Sequence, residues 1–294
     1  MFELYARLAL HHCMPSAHRA EAGAVVARRA AALKNQRDVP YLHASPEQKL
    51  DLVFDLQSDR HVIVFIHGGA WQGGDKRAGR LIQDTFLRAG YAFASINYRL
   101  APGARVSEAA SDVAAAVAHL VENAGCYRLR QDRVILLGHS AGAQLAALVT
   151  TDHTYLEAVG VAPRLLPLVV LLDGAALDAE QEMARPGARR SYGAAFGDQP
   201  AMWRRVSPIR FAIETKLLPY FCIYFAADNL LSRRRALPFA RAVAENGAEV
   251  RLRGFAGKTH GDMFRDLANA DDPLSAEVVA ALSAVCPVAH GAGD

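Results

Sequence analysis

Residues 133–149 read RVILLGHSAGAQLAALV. An apolar run stops at Gly138-His139-Ser140-Ala141-Gly142, and a helix-forming run starts at once. This is G-x-S-x-G between a strand and a helix, the context that makes the pattern chemically meaningful. On so tight a turn the Ser140 hydroxyl projects from the end of the sheet, and the flanking glycines let neighbouring backbone come close. The helix N-terminus behind it favours negative charge nearby.

Outward from that turn the chain alternates. Strand-like segments are expected at 62–66, 91–96, 133–137, 167–172, 219–225 and 249–254. Helical patterns lie between them, as in Val106, Ala109, Val113, Val117, Leu120 and Val121, with Gly125 as a stop. Pro238 to Val243 reads as a further helix followed by Asn246-Gly247, and Asp272-Pro273 opens another. Alternating strands and helices imply an α/β fold, a mostly parallel sheet covered on both faces. Most of the strands are continuously apolar, as such a sheet requires. EVRLRG at 249–254 alternates instead and belongs nearer an edge. The expected organisation is a single domain over 1–294, with an N-terminal helical extension over 1–38. Residues 177–216 lose strand character and gain Arg, Gly and Trp, which reads as a small lid inserted between two strands.

The 294 residues carry a formal charge of +3, too small and too evenly spread to point to nucleic acid. Arg233-Arg234-Arg235 is the densest basic run and reads as a solvated helix face. The cysteines, Cys13, Cys126, Cys222 and Cys286, fall at no metal-ligand or C-x-x-C spacing; reduced thiols and a cytoplasmic location are expected. The opening MFELYARLALHHC lacks the layout of a signal peptide, and no apolar run approaches the ~20 residues of a membrane span. No metal and no cofactor is expected. The expected partner is a small-molecule ester or amide substrate, with a homodimer left open.

A serine hydroxyl needs a base to take its proton. After a nucleophile on such an elbow, the acid and then the histidine follow in chain order at the ends of later strands. Asp228 stands just past the 219–225 strand and His260 past the 249–254 strand, so Ser140, Asp228 and His260 are the expected catalytic set. Asp262 reads as a helix cap. Asp173 also follows a strand, but an earlier one than the position favoured here. A tetrahedral oxyanion requires preorganised donors. The stretch VIVFIHGGAW at 62–71 ends a strand in two glycines, so the N–H groups of Gly69 and Ala70, with that of Ala141, are the expected oxyanion hole. Gly68 allows the close approach, and His67 is read as fixing the loop. Trp71 is expected either to wall an acyl pocket or to pack beneath the loop. His139 reads as a packed residue beside Ser140, and Gly68, Trp71, His139 and Trp203 are the candidate substrate-binding residues.

HGGAW, INYRLAP at 96–102 and GHSAG together resemble the α/β-hydrolase superfamily, in particular its kynurenine formamidase-like and hormone-sensitive-lipase-like esterases. The resemblance covers about residues 39–285 and includes QKLDLVFDL as an early strand and SPIRF before the acid-bearing strand. It implies the α/β-hydrolase fold. Ala70 stands where lipase-like members have a third glycine, which leans toward the formamidase-like branch. The expected activity is hydrolysis of a carboxylic ester with a small or medium acyl or aryl group, through an acyl-enzyme. An arylformamidase-type amide hydrolase uses the same machinery, an acyltransferase captures the same intermediate with an alcohol, and a binding protein on this fold is the non-enzymatic alternative.

Overall fold

The computed structural model describes residues 33–288. Eight strands form one sheet in the order β1-β2-β4-β3-β5-β6-β7-β8. They are β1 (Leu33–Pro40), β2 (Lys49–Asp55), β3 (Arg60–Ile66), β4 (Ala92–Ile96), β5 (Leu129–His139), β6 (Leu168–Leu172), β7 (Tyr220–Ala226) and β8 (Val250–Phe255). From β4 across to β8 the neighbours run parallel, while β1 and β2 are antiparallel. All six strands read from the sequence are present, and β8 lies at an edge. This is the α/β-hydrolase fold.

Both faces of the sheet are covered, which is why residues 62–66 of β3 and all of β6 read as unbroken apolar runs, and why β4 is buried throughout. On one face lie α1 (Gln83–Arg88), with Phe86 buried, and α11 (Pro273–Val285), with Leu274, Val278 and Leu282 against Phe65, Leu137 and Val170. On the other lie α2 (Val106–Glu122), α3 (Ala141–Thr151) and α9 (Leu230–Glu245). Helix α3 is apolar almost all round, and every one of its residues is buried. Residues 177–216 fold largely as four short helices, α5 (Ala179–Met183), α6 (Ala188–Phe196), α7 (Pro200–Arg205) and α8 (Pro208–Ala212). The remaining short helices are α4 (Thr154–Glu157) and α10 (Asp262–Arg265).

Two boundaries differ from expectation. Residues 33–38 belong to β1 and not to a helical extension; the rest of that segment lies outside the described residues. Helix α9 starts at Leu230, capped by the Asn229 side chain, and carries Pro238 inside it. Cys126, Cys222 and Cys286 are free, and Cys13 lies outside the described residues. Among the described residues no helix is long and apolar enough to cross a membrane.

The antiparallel edge is held by charge. Asp51 on β2 is 4% exposed and accepts from Lys76 Nζ at 2.5 Å, Arg37 Nη1 at 2.8 Å and Arg80 Nη2 at 3.1 Å. Burial alone raises this carboxyl, but bonds from Lys76 and Arg37 outweigh it and hold the group far below the usual carboxylate range. A carboxylate depressed in the fold contributes stability above its ordinary pKa and loses it as pH falls. Asp51→Asn is therefore expected to cost about 3 kcal/mol in chemical denaturation at neutral pH, because it takes the buried carboxylate away from the buried Lys76 ammonium and from the half-exposed Arg37 and Arg80. The variant should also show a shallower loss of stability on acidification than the wild type.

Candidate active site

The chain leaves β3 to one neighbour, β4, and then places β5 on the other side of β3. A crevice forms at the carboxyl ends of strands at such a switch point. Ser140 follows the end of β5 and opens α3. Its φ of 55° and ψ of −116° are strained for a residue with a Cβ. Gly142, one helical step on, lies where a Cβ would stand 2.0 Å from the Ile66 carbonyl oxygen. The glycines of G-x-S-x-G thus let α3 meet the end of β3.

His260, in the loop between β8 and α10, faces this turn. The Ser140 hydroxyl donates to His260 Nε2 at 2.9 Å. On the other side of the ring, His260 Nδ1 donates to Asp173 Oδ2 at 2.5 Å. Asp173, not Asp228, is the carboxylate on the histidine. It directly follows β6, its φ of 46° turns the chain at the carboxyl end of that interior strand, and it is 2% exposed. Ser232 Oγ donates to its Oδ2 at 3.0 Å, and the Ala226 N–H to its Oδ1 at 3.3 Å. Burial alone raises the Asp173 carboxyl, yet bonds from His260 and Ser232 hold it below the ordinary range. Asp228 lies past the end of β7 as expected but is exposed, and its Oδ2 accepts the Gly257 N–H at 2.6 Å. The bond from Ala227 N–H to the Phe255 carbonyl keeps this turn alongside β8, away from the imidazole's Nδ1. Asp262 accepts from Thr259 and Arg265 and does not touch the His260 ring.

The stretch HGGAW brings its loop to the same point. Gly69 has a φ of 128°, and a Cβ there would lie 2.1 Å from the Gly73 carbonyl oxygen. Ala70 and Trp71 follow at φ 54° and 60°. Among the described residues, the N–H groups of Gly69, Ala70 and Ala141 donate to no protein acceptor. A Cβ on Gly68 would touch the Ser140 Cβ at 3.0 Å, so that glycine lies against the serine. His67 is buried, donates from Nδ1 to the Gly68 carbonyl at 2.8 Å and stacks on Tyr98. His139 donates from Nε2 to the His260 carbonyl and packs on Phe264; burial, then the nearby His260, push its imidazole down to about 4.

A cavity of about 240 Å³ lies over the serine. Ala70, Trp71, Ala175, Tyr192, Ser232 and His260 line it, with Asn229, Leu231 and Arg235 at the start of α9. Trp71 both walls this cavity and packs beneath the loop, its Nε1 donating to Gln144 at 3.0 Å. Gly68, His139 and Trp203 do not line it: Gly68 lies against the serine, His139 packs on Phe264, and the Trp203 ring is buried within the insertion, its Nε1 donating to the Gly197 carbonyl at 2.7 Å. Tyr192 reaches the cavity instead, edge-on to Trp71 at 5.6 Å. Arg235 and Ser232 were hidden in sequence because only the turn of α9 shows which members of that run face inward. Among the described residues no cluster of His, Cys, Asp and Glu is arranged to hold a metal ion.

The sequence matches the BD-FAE family over residues 50–242. A probable isoprenylcysteine alpha-carbonyl methylesterase from Oryza sativa subsp. japonica is 26% identical over 253 residues, covering 80% of this chain and 59% of that protein. A kynurenine formamidase-like hydrolase of Fusarium equiseti is 30% identical over 219 residues, covering 62% of this chain and 71% of that protein. This chain spans less than two thirds of the length of the plant methylesterases it matches. Among solved structures, esterase B from Lactobacillus Rhamnosis (HN001) superposes with a TM-score of 0.71 at 21% identity, covering 96% of this chain and 94% of that one. That likeness bears on the fold. The chain belongs to the BD-FAE family, and it builds the serine elbow of the α/β-hydrolase fold from GHSAG.

Proposed function

We propose that this chain is a serine hydrolase that cleaves carboxylic esters with a small acyl group through an acyl-enzyme. The observation that carries the reading is the continuous line from Ser140 Oγ to His260 Nε2 at 2.9 Å and from His260 Nδ1 to Asp173 Oδ2 at 2.5 Å, opening on a cavity of about 240 Å³.

In this reading Ser140 Oγ attacks the ester carbonyl and its proton passes to His260 Nε2. Asp173 keeps the proton on Nδ1, so that Nε2 is free to accept, and stabilises the imidazolium that forms. The carbonyl oxygen becomes an oxyanion facing the N–H groups of Ala141, Gly69 and Ala70. As it collapses, His260 gives its proton to the leaving alcohol. Water then attacks the acyl-Ser140 by the same route in reverse. The insertion at 177–216 acts as a lid, tied to the HGGAW loop by Gln72 Nε2 donating to the Ser191 carbonyl at 2.6 Å and by the Trp71–Tyr192 contact. A cytoplasmic location fits the three cysteines that are free among the described residues.

Formamide hydrolysis is the second reading. It draws on the kynurenine formamidase-like relative and on the small cavity, since formyl is the smallest acyl group. A panel of p-nitrophenyl esters of rising chain length, run beside N-formylkynurenine, separates the two.

Ser140→Ala is expected to abolish turnover with its melting temperature kept, and a fluorophosphonate to label the native protein at Ser140 alone. Labelling elsewhere, or surviving activity, sinks the reading.

Asp173→Asn should lower kcat by roughly 10⁴-fold, the size of this effect in serine proteases, because Asn supports the wrong tautomer of His260. Asp228→Asn should cost far less. The reverse order would return the acid to β7.

At the oxyanion loop, Ala70→Gly should leave kcat within a few-fold and hold or raise the melting temperature. Glycine keeps the donor and accepts a φ of 54° without strain. A large kcat loss in a well-folded Ala70→Gly protein would show that the methyl group, not the backbone, serves the reaction. Gly69→Val is expected to melt early, since its Cβ would collide with the Gly73 carbonyl.

A further inference from the structure

The run Arg233-Arg234-Arg235 does not behave as one solvated face. It lies in the first turns of α9, where two members stay exposed and the third turns inward. Arg233 and Arg234 are exposed and form no ion pair among the described residues. Arg235 turns inward, with its side chain 12% exposed, and donates to Glu182 through Nε at 2.8 Å and Nη2 at 2.6 Å. Glu182, on α5 in the insertion, has its side chain 2% exposed and also accepts from Arg185. One carboxylate therefore serves two guanidiniums, and two further guanidiniums stand beside it unopposed.

Between α5 and the start of α9 these side chains border a hollow of about 930 Å³. Leu230 and Leu237, both exposed, lie along it. Leu231 and Arg235 line this hollow and also the cavity over Ser140, so the two meet at those residues. The cavity of about 240 Å³ is smaller than the roughly 300–1,000 Å³ typical of sites for drug-sized ligands. A substrate larger than a short acyl ester must reach beyond it. A third cavity, of about 480 Å³ beside Tyr155 and Phe211, shares no lining residue with the serine site.

We propose that the hollow is a distal substrate subsite, and that it selects esters bearing a carboxylate or phosphate at the end of an apolar arm. This rests on the serine-hydrolase reading. The leucines cover the arm, and the planar guanidiniums of Arg233 and Arg234 take the anion, a geometry suited to both carboxylate and phosphate. The Arg185–Glu182–Arg235 array fixes the wall between the two spaces and leaves its own excess positive charge toward the anion.

The test uses two matched ester pairs. The first is mono-4-nitrophenyl suberate against its terminal amide, which puts the charge on the acyl arm. The second is the acetate ester of 4-hydroxyphenylacetate against that of the corresponding amide, which puts it on the leaving group. In at least one pair the anion should have the higher kcat/KM, mainly through a lower KM. The doubly substituted Arg233→Gln, Arg234→Gln protein should reduce that anion-to-amide ratio by about tenfold, the sum expected for two exposed charge contacts. High salt should reduce the ratio in the native protein as well. No anion preference in either pair, or a ratio the double variant leaves unchanged, overturns the subsite. If no ester is turned over and Ser140 is not labelled, the hydrolase reading fails on its own. The subsite is then decided by calorimetry with free suberate and phenyl phosphate. Binding weakened by the double variant supports it, and absence of binding overturns it.

Discussion

Helix α3 meets the end of β3 so closely that a methyl group at Gly142 would stand 2.0 Å from the Ile66 carbonyl oxygen. Everything at the site follows from that contact. It seats the N-terminus of an eleven-residue, fully buried helix directly behind Ser140. It brings the loop after β3 against the serine, where a Cβ on Gly68 would touch Ser140 Cβ at 3.0 Å. Between the last residue of β5 and the first turn of α3 the serine takes a positive φ, a strained conformation for a residue with a Cβ. A rigid, apolar helix packed on the sheet opposes that strain.

The carboxylate on His260 shows where reading the chain stops being enough. Strand ends are visible in sequence, because a covered parallel sheet demands apolar runs and its loops break them. Both Asp173 and Asp228 lie just past such ends. Which one reaches the imidazole depends on the turn each strand makes. Asp173 leaves β6 at φ 46° and is gripped by Ser232 from 59 residues later in the chain, and by the Ala226 N–H. Asp228 is drawn sideways to Gly257. Neither turn has a local signature, since both are set by contacts between elements distant in sequence.

The same division runs through the fold. The inner strands and α2 are legible because their apolar pattern is set by burial on both sides. Strand β1 is not: LKNQRDVP is polar and mostly exposed, and pairing with β2 alone makes it a strand. Pro238 reads as a helix start but lies inside α9, where the Asn229 cap and the burial of Ala236 and Phe239 outweigh its missing N–H. The arginine run reads as surface because its three members are chemically alike. Only the helical turn separates Arg235, held on a buried glutamate, from its two exposed neighbours.

The motifs that surround the serine have a shared physical purpose, which is to hold a strained loop still. Ala70 and Trp71 both carry positive φ, and such a backbone persists only where its surroundings over-determine it. The Tyr98 hydroxyl donates to the His67 carbonyl at 2.9 Å, and the Ala101 N–H to the Trp71 carbonyl at 2.8 Å, so YRLAP braces both ends of HGGAW. Arg99 in turn is clamped on Asp112, fully buried in α2, which also receives the Gln48 amide and the Arg99 N–H. From the other side Gln144 in α3 accepts from Trp71 and donates to the Val206 carbonyl, linking loop, elbow helix and insertion. Donors that stabilise an oxyanion are useful in proportion to how little they must reorganise when charge develops. The bonds that Tyr98, Ala101 and Gln144 make with the loop supply that rigidity, and they show how three separated stretches of sequence come together around one hydroxyl.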